Sequence, residues 1–189
     1  MKRSHIWAAG EWTDDTAMMI AAIGRKGEPD TFDFSYPHSP VGTVARHPYD
    51  NRVILGAVGV LRDLPEDVDA VVSMCRLSDN DIRTDMPHVE VRLIDSEDPD
   101  ENPHLDFVLL DTVRTIERLR AQGRTVLVHC VGAHSRTPTM GALYGLRLRG
   151  ISADEAVRDV CGVLPQAHPN SAFREALRRL ENLPADARA

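Results

Sequence analysis

Cys130 and Arg136 are the residues best spaced to do chemistry together. They bracket Val131, Gly132, Ala133, His134 and Ser135 within Val126-Leu-Val-His-Cys-Val-Gly-Ala-His-Ser-Arg-Thr-Pro138. An apolar run of strand length ends at the cysteine, and a helical pattern opens directly after the arginine. In such a loop, successive backbone N–H groups point inward and form a cradle for an anion. A helix N-terminus and a neighbouring guanidinium favour thiolate over thiol, and sites of this kind bring a cysteine pKa from about 8.5 to about 3.5–7.5. The same cradle suits a phosphate dianion, whose oxygens an arginine grips as a planar fork. Nucleophile and phosphate site therefore coincide. A buried, inert core cysteine is the plain alternative for Cys130.

A phosphate ester also needs a proton for its departing oxygen, and a placed carboxylic acid is worth about 10²–10⁴-fold. The polar stretch Ile94-Asp95-Ser-Glu-Asp98-Pro-Asp100-Glu-Asn102 offers Asp95, Asp98 and Asp100. The plain reading of most of its acids is a solvated loop. His129 reads as a residue that orients the loop or as a structural histidine. His134 reads as pointing outward into solvent.

Several elements must hold these residues. Val53–Gly56 and Ala70–Met74 have strand length, and Val89, Val91 and Leu93 alternate with polar residues. Pro103 suits a first helical position. Beyond it, Leu105, Leu109, Val113, Ile116 and Leu119 share one helical face, which Gly123 ends. Thr125–Val128 is a buried strand. Thr137–Arg149 reads as a helix closed by Gly150. Ser152 and Glu155 form a capping box, and Phe173, Leu177 and Leu180 mark a last helix to about Asn182. Strands, helix, strand, then helices indicate an α/β fold. Residues 1–50 read as an irregular extension, 51–184 as the domain and 185–189 as a tail.

The chain has 189 residues with 22 Lys+Arg against 29 Asp+Glu, a formal charge of −7. That balance argues against a nucleic-acid or membrane-surface partner, since both need a basic face. No apolar run reaches bilayer length. Residues 1–10 lack the apolar stretch of a secretion signal. Three cysteines are too few for a disulfide framework and suit a reducing, cytoplasmic setting. Cys161 reads as core.

The loop resembles the signature of the protein tyrosine phosphatase superfamily: His-Cys, five residues, Arg, then Ser or Thr. Here it stands as His129-Cys130, Val131–Ser135, Arg136 and Thr137. Ser135 before the arginine and the Arg-Thr-Pro-Thr that follows are most similar to the dual-specificity branch. The resemblance covers about residues 53–183. It implies a central mixed sheet flanked by helices, a Cys130 nucleophile and a phosphate site at Val131–Arg136. It further implies a general acid at Asp95, directly after a Val89–Ile94 strand, with Asp98 and Asp100 in reserve. Thr137 matches the hydroxyl residue that stabilises the departing thiolate. Pro169-Asn170-Ser-Ala-Phe173 resembles an element whose asparagine braces the phosphate loop; a helix cap is the structural alternative for Asn170. In some relatives a cysteine placed like Cys75 forms a reversible disulfide with the nucleophile.

The reaction so implied is two-step hydrolysis of phosphotyrosine and/or phosphoserine/threonine through a cysteinyl-phosphate, with no metal or other cofactor. Substrates are phosphorylated proteins or small phosphomonoesters. The acidic surroundings and the absence of Lys and Arg between Cys130 and Arg136 disfavour polyanionic lipids. In one position the chain departs from the family: Ala133 stands where a glycine is usual. If that position needs φ > 0, an L-residue costs on the order of 1 kcal/mol there. A catalytically weak phospho-binding module is therefore the second reading. Separately, Thr13-Asp14-Asp15-Thr16 resembles the metal motif of ADP-ribosylglycohydrolases. A helix start, with Thr13 as cap, reads better in so short an arm, and a metal-dependent ADP-ribose hydrolase is the least favoured reading.

Overall fold

Alternation of side chains explains how the sheet is filled. The computed structural model describes residues 43–77 and 85–183. Its strands are β1 (Val44–His47), β2 (Asp50–Ala57), β3 (Ala70–Ser73), β4 (His88–Glu90) and β5 (Val126–Cys130). They lie in the order β1-β2-β5-β3-β4, with β1 antiparallel to β2 and the other pairings parallel. Val53, Leu55, Ala70, Val72, Val126 and Val128 face one core, whereas Ile54, Val71 and Leu127 face another. A parallel strand covered on both faces must be apolar throughout, which is why Val126-Leu-Val is continuous.

Four helices cover the first face: α1 (Leu105–Ala121), α2 (Arg136–Arg149), α3 (Ala153–Val163) and α4 (Ser171–Glu181). The second face is covered by a 3₁₀ turn at Val58–Arg62 and by Leu64, Val68 and Met86. Gly123 and Gly150 take φ of +80° and +65° and stop α1 and α2, as only glycine does without strain. Ser152 caps α3, its Oγ accepting from the Glu155 N–H at 3.2 Å. Among the described residues, no helix is long and apolar enough to cross a membrane.

Two elements differ from the expectation. β1 joins the sheet although it lies before residue 51, and residue 51 itself falls inside β2. Four residues flanked by turns carry too short an alternation to announce a strand; the partner strand makes it one. On the far edge, β4 stops at Glu90 rather than running to Ile94. After Val91 donates to the Ser73 carbonyl at 2.7 Å, the Leu93 N–H turns back to the Val91 carbonyl, and the Leu93 carbonyl and the Ile94 backbone meet the side chains of Arg136 and Asn102 instead of a neighbouring strand. The Thr13–Thr16 motif lies outside the described residues.

Candidate functional site

Parallel strands place their carboxyl ends on one rim, where ligands of open α/β sheets bind. Cys130 ends β5 on that rim and is 1% exposed. Residues 131–135 carry the chain straight into α2. The loop's carbonyls are drawn outward: that of Val131 accepts from the Val58 N–H at 3.2 Å, and that of His134 from the His168 N–H at 2.6 Å. Among the described residues, no group accepts from the N–H groups of Gly132, Ala133, His134 or Ser135. Ser135 stands at the N-cap of α2 but makes no side-chain cap bond. Its Oγ accepts instead from the Asn170 N–H at 3.2 Å. The amides at the positive end of a 14-residue helix therefore stay available to an anion.

Arg136 is anchored by two carbonyls. Its Nη1 donates to Leu93 O at 2.9 Å and to Met74 O at 3.3 Å, while its Nε is buried with no hydrogen-bond partner. Asp95 Oδ2 lies 3.8 Å from that Nε, close enough for ion pairing and too far for a hydrogen bond. An unpaired guanidinium N–H inside the rim is what a bound phosphate oxygen would satisfy.

The structure brings Asp95 to the arginine and leaves Asp98 and Asp100 on a turn of their own. Asp98 Oδ1 accepts from the Asp100 N–H at 2.9 Å, and both residues are exposed. Asn170 joins three pieces. Its Oδ1 caps α4 by accepting from the Phe173 N–H at 2.9 Å, and its Nδ2 donates to Asp95 Oδ1 at 3.1 Å and Ser96 O at 3.3 Å. Its side chain thus holds the segment at 95–96, and its backbone N–H holds the loop at 131–135. The Thr137 hydroxyl donates to Gly56 O at 3.3 Å, so aiding the sulfur would require it to rotate. His134 is exposed, yet its Nδ1 lies 2.9 Å from Gln166 O, and its ring sits where a Cβ on Gly132 would fall.

Ala133 adopts φ of +55° with its side chain fully buried. A left-handed L-residue costs roughly 1–2 kcal/mol. Glycine recovers that but loses a buried methyl and some unfolded-state restriction. We expect Ala133→Gly to stabilise the protein by about 0.5–1 kcal/mol in urea unfolding. A loss of stability would sink the strain account.

His129 is fully buried, with Nε2 2.6 Å from Ser73 Oγ, which is itself 2.7 Å from His88 Nε2. Burial first, then the His88 and Arg136 charges, lowers its pKa to about 3. Burial likewise lowers that of His47, whose Nδ1 accepts from the Tyr49 N–H at 3.2 Å. Both histidines fold neutral, so between about pH 3 and 6.5 the unfolded chain binds the extra proton at His129. Their contribution is complete above pH 6.5 and is lost as pH falls. From pH 7 to 5, His129 alone removes about 2 kcal/mol of unfolding free energy. Urea titrations at the two pH values, with and without His129→Asn, check this; an unchanged difference in the variant overturns it.

Cys75 is buried, and burial, with Cys130 and Glu90 adding to it against Arg136, pushes its thiol up to about 12. As the attacking partner of a disulfide with Cys130, Cys75 would have to ionise, which this environment opposes. Cys161 is only half-buried, its Sγ 3.6 Å from Ala167 O, rather than a core residue. Sequence reasoning missed Ser73, Glu97, Asn102 and Ser171. Of these only Asn102, a turn-favouring residue beside a proline, carried a local signal; the helix expected from Pro103 in fact begins at Leu105, with His104 at its N-cap.

Comparison with known proteins agrees with this geometry. The chain is 35% identical over 114 residues to human protein phosphatase Slingshot homolog 3, covering 60% of this chain and 16% of that protein. It is 32% identical over 97 residues to Arabidopsis thaliana dual specificity protein phosphatase 1, covering 51% and 47% respectively. It thus spans less than half the length of these relatives. The crystal structure of human DUSP28 superposes with a TM-score of 0.64 at 23% identity, over 80% of this chain and 99% of that one. Residues 66–183 match the family model described as dual specificity phosphatase, catalytic domain. The chain belongs to the dual specificity phosphatase family, and the cysteine-to-arginine loop lies inside its matched catalytic domain.

Proposed function

We propose that this chain hydrolyses phosphotyrosine and/or phosphoserine/threonine monoesters through a cysteinyl-phosphate. The observation that carries the reading is the buried Arg136 Nε, left without a hydrogen-bond partner, beside a loop whose Val131 and His134 carbonyls bond to residues outside it. Cys130 Sγ attacks phosphorus while the loop amides and Arg136 hold the non-bridging oxygens. The ester P–O bond breaks, and Asp95 gives its proton to the departing oxygen. Water then attacks the cysteinyl-phosphate, Asp95 takes its proton, and the P–S bond breaks to release phosphate and thiolate. Thr137, rotated from Gly56, would donate to that sulfur. No step calls on a metal.

Five acids lie between residues 95 and 101, beginning with Asp95 beside Arg136, a charge balance that disfavours polyanions and supports singly phosphorylated proteins or small monoesters. We place the activity in the cytoplasm, where a free nucleophilic thiol persists. Hydrolysis of p-nitrophenyl phosphate in EDTA, followed by acid quench and peptide mapping, tests the reading. The expected result is metal-independent turnover with phosphate on the Cys130 peptide. Turnover that depends on Mg²⁺, or phosphate on another residue, overturns it. Phosphopeptide binding without turnover would instead establish the binding module.

A further inference from the structure

Residues 94–98 form no helix or strand, and beyond the Ser96 N–H bond to the Ile94 carbonyl at 3.0 Å, what ties Asp95 to the rest of the fold is a set of side-chain bonds. Three side chains bracket it. Asn102, 7% exposed, grips the Ile94 backbone in both directions: Oδ1 accepts from its N–H at 3.1 Å, and Nδ2 donates to its carbonyl at 2.9 Å. Asn170 holds Asp95 and Ser96 as described. Glu97 then crosses to α4, where its Oε1 accepts from the Ser171 N–H at 3.1 Å and the Ser171 hydroxyl at 2.8 Å.

Ser171 is the first residue of α4, so this carboxylate meets an orphan amide at the positive end of a helix. The two Ser171 bonds hold the Glu97 carboxyl below its usual range. The far end of the clip does not yield, because α4 is seated in the core by Phe173 and Leu177, both fully buried. Asp98 and Asp100 make no such crossing; they close the 3₁₀ turn at Pro99–Glu101.

We propose that Glu97, clipped to Ser171, is a positioning residue for Asp95. With Asn102 at the other end, it holds the acid loop beside Arg136 before substrate arrives. This rests on the reading of Asp95 as general acid. An acid already in place needs no closing step, and the leaving groups that depend on it most are the basic ones, alkyl oxygens above all. Phosphoserine and phosphothreonine are therefore the substrates that most need the clip.

The test compares p-nitrophenyl phosphate, whose leaving group departs readily, with phenyl phosphate, whose phenol has a pKa of about 10 as in tyrosine. Wild type, Glu97→Ala, Glu97→Gln and Asp95→Asn are assayed for kcat and KM on both, with unfolding midpoints alongside. Misplacement by about 1 Å can cost as much as about 10²-fold. Glu97→Ala is expected to lower kcat on phenyl phosphate about tenfold, and on p-nitrophenyl phosphate less than about twofold, with KM little changed. Glu97→Gln recovers most of the loss, since its amide oxygen still accepts both Ser171 bonds. Asp95→Asn shows the same substrate dependence, enlarged. If Asp95→Asn discriminates between the substrates and Glu97→Ala does not, the positioning role alone is overturned. If Asp95→Asn does not discriminate, the acid assignment fails and the proposal falls with it.

Discussion

Cys130→Ser is expected to bring hydrolysis of p-nitrophenyl phosphate down to background, a loss of at least about 10⁴-fold, while a phosphopeptide still binds. The reason is the absence of a base that could replace thiolate chemistry. A serine hydroxyl is a useful nucleophile only when a neighbour takes its proton. The adjacent histidine cannot do so: His129 is fully buried, its Nε2 is engaged with Ser73, and its Nδ1 is buried without a partner. In the proposed reaction Asp95, beside Arg136 and Asn170, enters the first step as the acid, so it does not take a serine proton. The anion cradle does not depend on the sulfur, because the outward bonds of the Val131 and His134 carbonyls and the free N-terminus of α2 are unchanged by the substitution. Kinetics on the chromogenic ester, paired with titration of a labelled phosphopeptide, read the two halves separately. Turnover surviving above about 1% of wild type would remove Cys130 from the reaction.

Arg136→Lys should cost about 10²–10³-fold in kcat/KM although the charge is kept. One guanidinium serves two purposes here. Nη1 spans the Leu93 and Met74 carbonyls, which orients the plane, and Nε is left for the ligand. An ammonium is a point donor and cannot hold those carbonyls and two phosphate oxygens in one plane. The side chain is only 12% exposed, so water cannot readily replace the lost bonds. Carbonyls left short of a partner cost about 1–3 kcal/mol, and a lower thermal midpoint should accompany the kinetic loss. Kinetics and calorimetry on the same preparation distinguish the outcomes. A variant with near-normal kcat/KM would show that charge alone suffices and that the carbonyl anchors are not part of the site.

These two residues were the most legible part of the chain, and the reason is local. A strand, a short loop and a helix follow one another without interruption from Val126 to Arg149. The spacing of Cys130 and Arg136 therefore translates directly into a geometry. The same holds for α1, whose apolar positions lie on one face, and for the stops at Gly123 and Gly150. Asp95 was legible only through a resemblance, since nothing in its own stretch separates it from Asp98 or Asp100. In the structure, its bond to Asn170 and its approach to Arg136 set its position apart from theirs.

By itself, the sequence determined the α/β class, the helices, the buried strand β5 and the cysteine-to-arginine loop. All of these rest on neighbours within a few residues or one helical turn. Only the tertiary structure decided that β1 joins the sheet, that β4 ends at Glu90, and that Asn170 serves two loops. It alone paired His129 with Ser73 and His88, and Glu97 with Ser171. Those partners are separated by 15 to 74 residues, and each pairing exists because the packed core brings distant backbone together. A short polar side chain has many acceptors within reach of its own loop; which distant one it meets is set by where α4 and the strand ends come to rest. Local periodicity encodes the elements that carry the chemistry, and the core determines which side chains aim it.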